Sequence, residues 1–275
     1  MDNNKALPKI LRDKNKAVHK LKGLPPIYYL NLDEQPERRQ YMEEQFEYWQ
    51  IEDYERISAY DGRDDRDLGD ILKGRYPDAM SSGEVGCVTS HLKALKHFLE
   101  TSDAPCALIM EDDCDLDPVK HWTFTWKDFF AKVPYDYDVV QLAIINPASV
   151  HVKMHRRFVN DFSTACYLIT RRHAQKLVDL HVRGDKYKID NGVKPRAVAD
   201  DLIYNSGNTF AIPLFLYKIE LGSSIHDIHI DVFHKSSYEG LWNFWRNQAV
   251  DIQDWNALFD YDPYFQRLPP GFEGQ

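Results

Sequence analysis

At 275 residues with ordinary hydrophobic content, the chain can bury a sizeable core, as one large domain or a domain with appendages. Its formal net charge of −9 and the lack of a long Lys/Arg run argue against nucleic acid as a partner. Sixteen Tyr, 14 Phe and 6 Trp argue against disorder over most of the length.

In chain order, residues 1–24 read as a basic arm, closed off by Pro25-Pro26 before a buried strand at "IYYLNL" (Ile27 to Leu32). A helix follows, with Tyr41, Met42, Gln45, Phe46 and Trp49 on one face. "YERISAYDG" is a second short strand ending in a turn at Asp61-Gly62, and the polar stretch "RDDRDLGDILKGRYPDAM" reads as a loop. The clearest helix is "SSGEVGCVTSHLKALKHFLE", where Ser81 and Glu84 have capping-box spacing and Val85, Val88, Leu92, Leu95 and Leu99 line one face. A buried strand from Cys106 to Met110 comes next.

Beyond it, "HWTFTWKDFFAKV" predicts a helix and "YDVVQLAII" a strand, while "TACYLITRRHAQKLVDLHV" predicts a strand turning into a helix. "VADDLIYNSG" predicts a helix-turn and "TFAIPLFLYKIELGSSI" a further strand. The tail is aromatic and reads as irregular, wrapping over the core or meeting a partner. The expected division is therefore an arm at 1–24, a main domain at 25–235 and an extension at 236–275. Alternating strands and helices imply an α/β fold, a mostly parallel central sheet with helices on both faces. Ligands of such sheets bind beyond the carboxyl ends of the strands.

The segment "ALIMEDDCDLD" stands at such an end. Glu111, Asp112, Asp113, Asp115 and Asp117 cannot all be ionised together without a counter-charge. On an extended backbone Glu111, Asp113 and Asp115 would face one side together. Such hard oxygen ligands suit Mn²⁺ or Mg²⁺, which keep open positions for substrate phosphates. A solvated acidic loop is the alternative.

Four ordered blocks resemble glycosyltransferase family 25, which includes lipooligosaccharide and procollagen galactosyltransferases. They are "IYYLNLDEQPERR", "RISAYDG", "SSGEVGCVTSHLKAL" and "LIMEDD", with looser likeness at "ACYLITRRHAQKL" and "LGSSI". The resemblance implies a GT-A-type nucleotide-sugar-binding fold. It implies inverting transfer of galactose or a related hexose from a UDP-sugar to a hydroxyl of a glycan or other acceptor, with a divalent metal on the diphosphate.

On that reading Asp113 holds the metal, supported by Glu111 or Asp115, with His226 favoured as a later ligand over His229 and His234. Asn31, Arg38, Asp61, Gly62, Ser90, His91 and Asp112 are implied to bind the donor, and Asp200 or Asp201 to act as the base. Each has a plainer reading: an ion pair for Arg38, a turn for Asp61-Gly62, a helical packing role for Ser90 and His91, and helix-dipole placement for Asp200 and Asp201. Glu84 has a structural task as the capping partner. Two rival functions are a Mg-dependent phosphotransfer enzyme and a non-catalytic carbohydrate-binding or interaction module.

The location expected is cytoplasmic, with peripheral membrane contact left open. Cys87, Cys106, Cys114 and Cys166 show no C-x-x-C spacing and read as reduced. The first 23 residues lack the apolar centre of a secretory leader, and no apolar run is long enough to span a bilayer.

Overall fold

The computed structural model describes residues 14–63, 65–74, 79–146, 150–189, 198–221 and 234–261, with backbone alone at 65–67. Strand β1 (Ile27–Asn31) is buried along its whole length. It leads into α1 (Pro36–Trp49), which starts on Pro36, where the missing N–H costs nothing, and stops at Gln50 in the left-handed region. Then come β2 (Tyr54–Ser58), α2 (Asp65–Ile71) and α3 (Ser82–Thr101). The expected capping box closes α3: Ser81 Oγ accepts from Glu84 N at 3.2 Å, and Glu84 Oε2 accepts from Ser81 N at 2.8 Å. Helix α2 falls where the polar composition predicts a loop; buried Leu68 anchors it.

The middle of the chain supplies β3 (Cys106–Glu111), β4 (Cys114–Asp115), α4 (Trp126–Phe130), β5 (Val139–Gln141) and β6 (His155–Arg156). After these come β7 (Cys166–Thr170), α5 (Arg171–His181), a small hairpin of β8 (Val182–Arg183) and β9 (Lys186–Tyr187), and α6 (Ala199–Tyr204). Last are β10 (Thr209–Ala211), β11 (Leu216–Tyr217), α7 (Lys235–Asn243) and α8 (Asn256–Phe259).

Among the described residues the central sheet has seven strands in the order β2-β1-β3-β7-β5-β10-β6. Pairing is parallel for β1 with β2, β1 with β3 and β5 with β10. Strand β7 is antiparallel to both neighbours, β3 and β5, so β3 and β5 share a direction. Five strands therefore run one way, and β7 and the edge strand β6 run the other. The sheet is mostly parallel, with one reversed strand in its middle.

Alternation along the strands divides the core into two layers. Leu108 and Met110 join Phe46, Trp49, Trp122 and Trp245 on one face. Ala107 and Ile109 join Val85, Leu92, Phe98 and Leu177, from α3 and α5, on the other. Fully burying one such large apolar side chain contributes about 1.5–3 kcal/mol.

Three elements differ from expectation for identifiable reasons. "YDVVQLAII" is a strand of the main sheet only at β5; Leu142 to Ile144 continue beyond it fully buried, and Ile145 makes an isolated antiparallel bridge with Phe162. The strand expected at 209–225 breaks around Pro213 into β10 and β11, and β11 pairs with β4 instead of the main sheet. The tail is largely helical where described: Leu241, Trp245 and Ala249, spaced by four, are each buried, while Trp242 and Phe244 on other faces of the helix obscure the period. At the other end, Leu21 is buried and the Lys20 ammonium donates to the carbonyls of Val119, Lys120 and Trp122, so residues 14–24 lie against the core.

Candidate active site

The carboxyl ends of β1, β2 and β3 lie side by side, and an open cleft of about 290 Å³ begins there. Asn31, the last residue of β1, is buried. Its Nδ2 donates to Asp112 Oδ2 at 2.8 Å, and its Oδ1 accepts from Arg56 Nε at 3.0 Å. Arg38, from the first turn of α1, donates through Nε to Asp112 Oδ1 at 2.7 Å and places Nη2 3.2 Å from Asp113 Oδ2. One planar guanidinium thus engages two consecutive carboxylates, a geometry that lysine cannot reproduce. Burial works against its charge, but Asp113 and Asp112 outweigh it and strengthen the hold of Arg38 on its proton.

Burial pushes Asp113 up to about 7, with Glu111 and Asp112 adding to the shift and Arg38 opposing it. Its Oδ1 is buried without a hydrogen bond. That oxygen is a donor atom without a partner in a strongly acidic corner, and it fits a hard divalent cation.

Glu111 faces a different set. Thr164 Oγ1 donates to its Oε1 at 2.6 Å, and His91 Nε2 lies 3.3 Å from the same oxygen. Burial raises the Glu111 pKa, yet the contacts from His91 and Thr164 outweigh it and hold the group below the ordinary carboxylate range. His91 Nδ1 meets the Tyr167 hydroxyl at 3.1 Å, an arrangement satisfied when Nε2 carries the proton and Tyr167 donates. Cys87 lies one turn before His91 on α3, in hydrogen-bond contact with Thr164; burial pushes its thiol well above its ordinary value. Ligand atoms of Cys87, His91 and Glu111 lie within 4.8 Å of one another, the one such trio among the described residues.

The far wall is the turn after β2. Ser90 Oγ accepts from Tyr60 N at 2.8 Å and donates to Gly86 O at 2.6 Å, which ties that turn to α3. Two glycines make the approach possible. A Cβ on Gly62 would meet Ser82 O at 1.9 Å, and one on Gly86 would meet Gly62 N at 2.5 Å. Asp61 chelates Arg63 through both oxygens and also accepts from Arg63 N.

All seven residues expected to touch the donor (Asn31, Arg38, Asp61, Gly62, Ser90, His91 and Asp112) line this one cleft, as does Glu111. Asp113 is tied to it through Arg38. Asp115 is not: the chain turns at Asp112-Asp113, so the alternation that would align Glu111, Asp113 and Asp115 is broken. Asp115 sits on β4 and accepts from Asp117 N at 2.9 Å. Burial, then the nearby Asp117, pushes it up to about 6. His226 lies outside the described residues.

Asp200 and Asp201 begin α6 and part ways. Asp201 Oδ1 accepts from Asn205 Nδ2 at 2.8 Å. Asp200 Oδ1 is buried without a hydrogen bond, 3.9 Å from Arg157 Nη2. Burial raises Asp200 to about 6 against the pull of Arg157, with Glu111 adding to the rise. The Ser163 backbone also hydrogen-bonds Asp200, and Ser163 has φ of 96°, a strained conformation for a residue with a side chain. Tyr60, Cys87, Arg157, Thr164 and Tyr167 complete the surroundings. The sequence marks Cys87 only as a reduced cysteine and gives the other four no role, because isolated Tyr, Thr and Arg residues in turns, strands and irregular segments carry no pattern.

Residues 24–191 match the family described as Glycosyltransferase family 25 (LPS biosynthesis protein). A "Glycosyltransferase 25 family member" of Drosophila pseudoobscura pseudoobscura is 35% identical over 105 residues, 34% of this chain and 16% of that protein. One from Aedes aegypti is 33% identical over 122 residues, 41% of this chain and 19% of that protein. The chain thus aligns with less than a fifth of each of these curated relatives. Among solved structures, "Crystal Structure of A197 from STIV" gives a TM-score of 0.37 at 12% identity, over 70% of this chain and 83% of that one. That likeness is too distant to carry a functional argument.

Proposed function

Because the chain belongs to glycosyltransferase family 25, we propose that it transfers a hexosyl group, galactose or a close relative, from a UDP-sugar to a hydroxyl of a glycan or other acceptor, with inversion. The single observation that carries this reading is the convergence of Asn31, Arg38, Asp61, Gly62, Ser90, His91 and Asp112 on one cleft at the strand ends.

A one-step displacement needs the leaving diphosphate neutralised and the acceptor hydroxyl deprotonated, both held in line. The unpartnered Asp113 Oδ1 is the atom we assign to a divalent cation, Mn²⁺ or Mg²⁺. When bound, the cation offsets negative charge on the diphosphate. Arg38 holds Asp112 and Asp113 in place and adds a second positive charge beside them. Asn31 fixes the other oxygen of Asp112. The Asp61-Gly62 turn, closed onto α3 through Ser90, forms the opposite wall.

For the base we assign Asp200 over Asp201. Its Oδ1 has no hydrogen bond, and at about 6 it is ionised at neutral pH while remaining a better base than an ordinary aspartate. The donor sugar and acceptor class are tested with a panel of UDP-hexoses and glycan acceptors, with and without Mn²⁺. Transfer by the parent and its loss in Asp113→Ala and Asp200→Asn support the reading. No transfer or donor hydrolysis with any member, or unchanged turnover in both variants, contradicts it. Among the described residues no helix is long and apolar enough to cross a membrane.

A further inference from the structure

Cys87, His91 and Glu111 form a group chemically unlike the acidic corner beside it. Cys87 and His91 are four apart on α3, so their side chains leave the same helix face one turn apart. Glu111 closes the triangle from the end of β3. The three ligand atoms lie within 4.8 Å of one another, and all three residues line the cleft. A sulfur, an imidazole nitrogen and one carboxylate oxygen are the donor set of a borderline-soft cation; Mg²⁺ and Mn²⁺ prefer all-oxygen sets. Two anionic ligands, a thiolate and a carboxylate, balance a divalent charge.

We propose that Cys87, His91 and Glu111 form a three-ligand site for zinc or a zinc-like cation, with its fourth position open to the cleft. Three protein ligands with an open position is the pattern of zinc sites that hold a water or a ligand oxygen. On binding, the Cys87 S–H proton leaves to solvent and a sulfur–metal bond forms. His91 then offers Nε2 as a lone pair and moves its proton to Nδ1, toward the Tyr167 oxygen. The Thr164 hydroxyl can keep its bond to Glu111, since a carboxylate has lone pairs for both. The site differs in its ligand set from the cation assigned to the nearby Asp113 and does not rest on the proposed transfer reaction.

The test is zinc binding by the full chain, competed against a chromophoric chelator, alongside cobalt substitution read by absorption. The expected result is one tight zinc per chain and a cobalt–thiolate charge-transfer band. Cys87→Ser should abolish that band and weaken zinc binding at least tenfold; Glu111→Gln should weaken it while keeping the band, and Asp113→Asn should leave both unchanged. Circular dichroism checks that each variant is folded. The band is read in the parent protein, so a misfolded variant does not shelter the proposal. Absence of the band from the parent, or zinc affinity that survives Cys87→Ser, overturns it. Equal loss in Asp113→Asn also overturns it, because the two carboxylates would then serve a single cation.

Discussion

Arg38 and Asp112 face each other at 2.7 Å, and the same guanidinium reaches Asp113 at 3.2 Å. The pair joins the first turn of α1 to the end of β3, so it is at once a structural tie and the charged floor of the cleft. Replacing Arg38 by Ala leaves two largely buried carboxylates without their counter-charge. Removing one partner of a buried pair costs about 3–5 kcal/mol, reduced here by the partial exposure of both side chains. We expect Arg38→Ala to lower the urea midpoint and to abolish UDP-sugar binding. Arg38→Lys should restore part of the stability but little of the binding, since an ammonium cannot span both carboxylates.

The turn after β2 rests on helix α3 through Gly62 and Gly86. Gly86→Ala places a methyl within 2.5 Å of the Gly62 backbone, so the turn must lift from the helix. Overpacking of this kind costs about 1–3 kcal/mol and here opens the cleft wall. Gly240 on α7 is the control: a Cβ there meets nothing within 4 Å, and Ala adds up to about 1 kcal/mol of helix stability. Thermal melts of the two variants should move in opposite directions.

These glycines show what the sequence makes readable. The blocks around Asn31, Arg38, Asp61-Gly62 and Glu111-Asp112 fall at or just past the end of a strand or on the first turn of a helix, and Ser90-His91 lie midway along α3, the helix packed against the turn after β2. Strands that run in one direction bring such ends together, so residues far apart in the chain meet in the cleft. The reversed direction of β7 is not legible, because "CYLIT" is equally apolar read either way. Asp115 escapes for another reason. The alternation that would align it with Asp113 assumes an extended chain, and the chain turns at Asp112-Asp113. Thr164 and Arg157 come from the irregular segment before β7, where no periodicity indicates which side chains face inward.

A buried pair elsewhere makes the stability depend on pH. Asp161, almost fully buried, accepts from Asn146 Nδ2 at 2.8 Å and from Phe158 N at 2.8 Å, and lies 3.1 Å from His155 Nε2. Burial opposes its charge, but these contacts, His155 first, hold its pKa below the ordinary value. A carboxyl whose folded pKa is depressed contributes stability above its unfolded pKa, near 4, and that contribution is lost as pH falls through the folded value. Unfolding free energy should therefore decline below about pH 4. Asp161→Asn should be less stable at pH 7 and show a shallower acid decline, as measured by urea titrations across pH.

Helix α3 carries Ser90 and His91, so its N-terminal cap bears on the cleft. Ser81→Ala removes the acceptor for Glu84 N and should cost about 1 kcal/mol. Hydrogen exchange should quicken in the first turn of α3, with little change in α5.

The pH dependence of turnover tests the choice of base. With Asp200 at about 6, kcat should rise with pH on an acid limb centred near that value and level off above it. Asp200→Asn should remove nearly all turnover while leaving donor binding close to that of the parent. Asp201→Asn, which loses the contact with Asn205 and only a minor one of the influences that raise Asp200, should retain activity.

The most direct test of the central claim is calorimetric titration of a UDP-hexose into the parent chain and into Asp113→Ala, each with and without Mn²⁺. Binding to the parent should strengthen with Mn²⁺, and the variant should stay folded but lose the Mn²⁺-dependent gain. Absence of binding across the UDP-hexoses, or an identical Mn²⁺ response in Asp113→Ala, would contradict it.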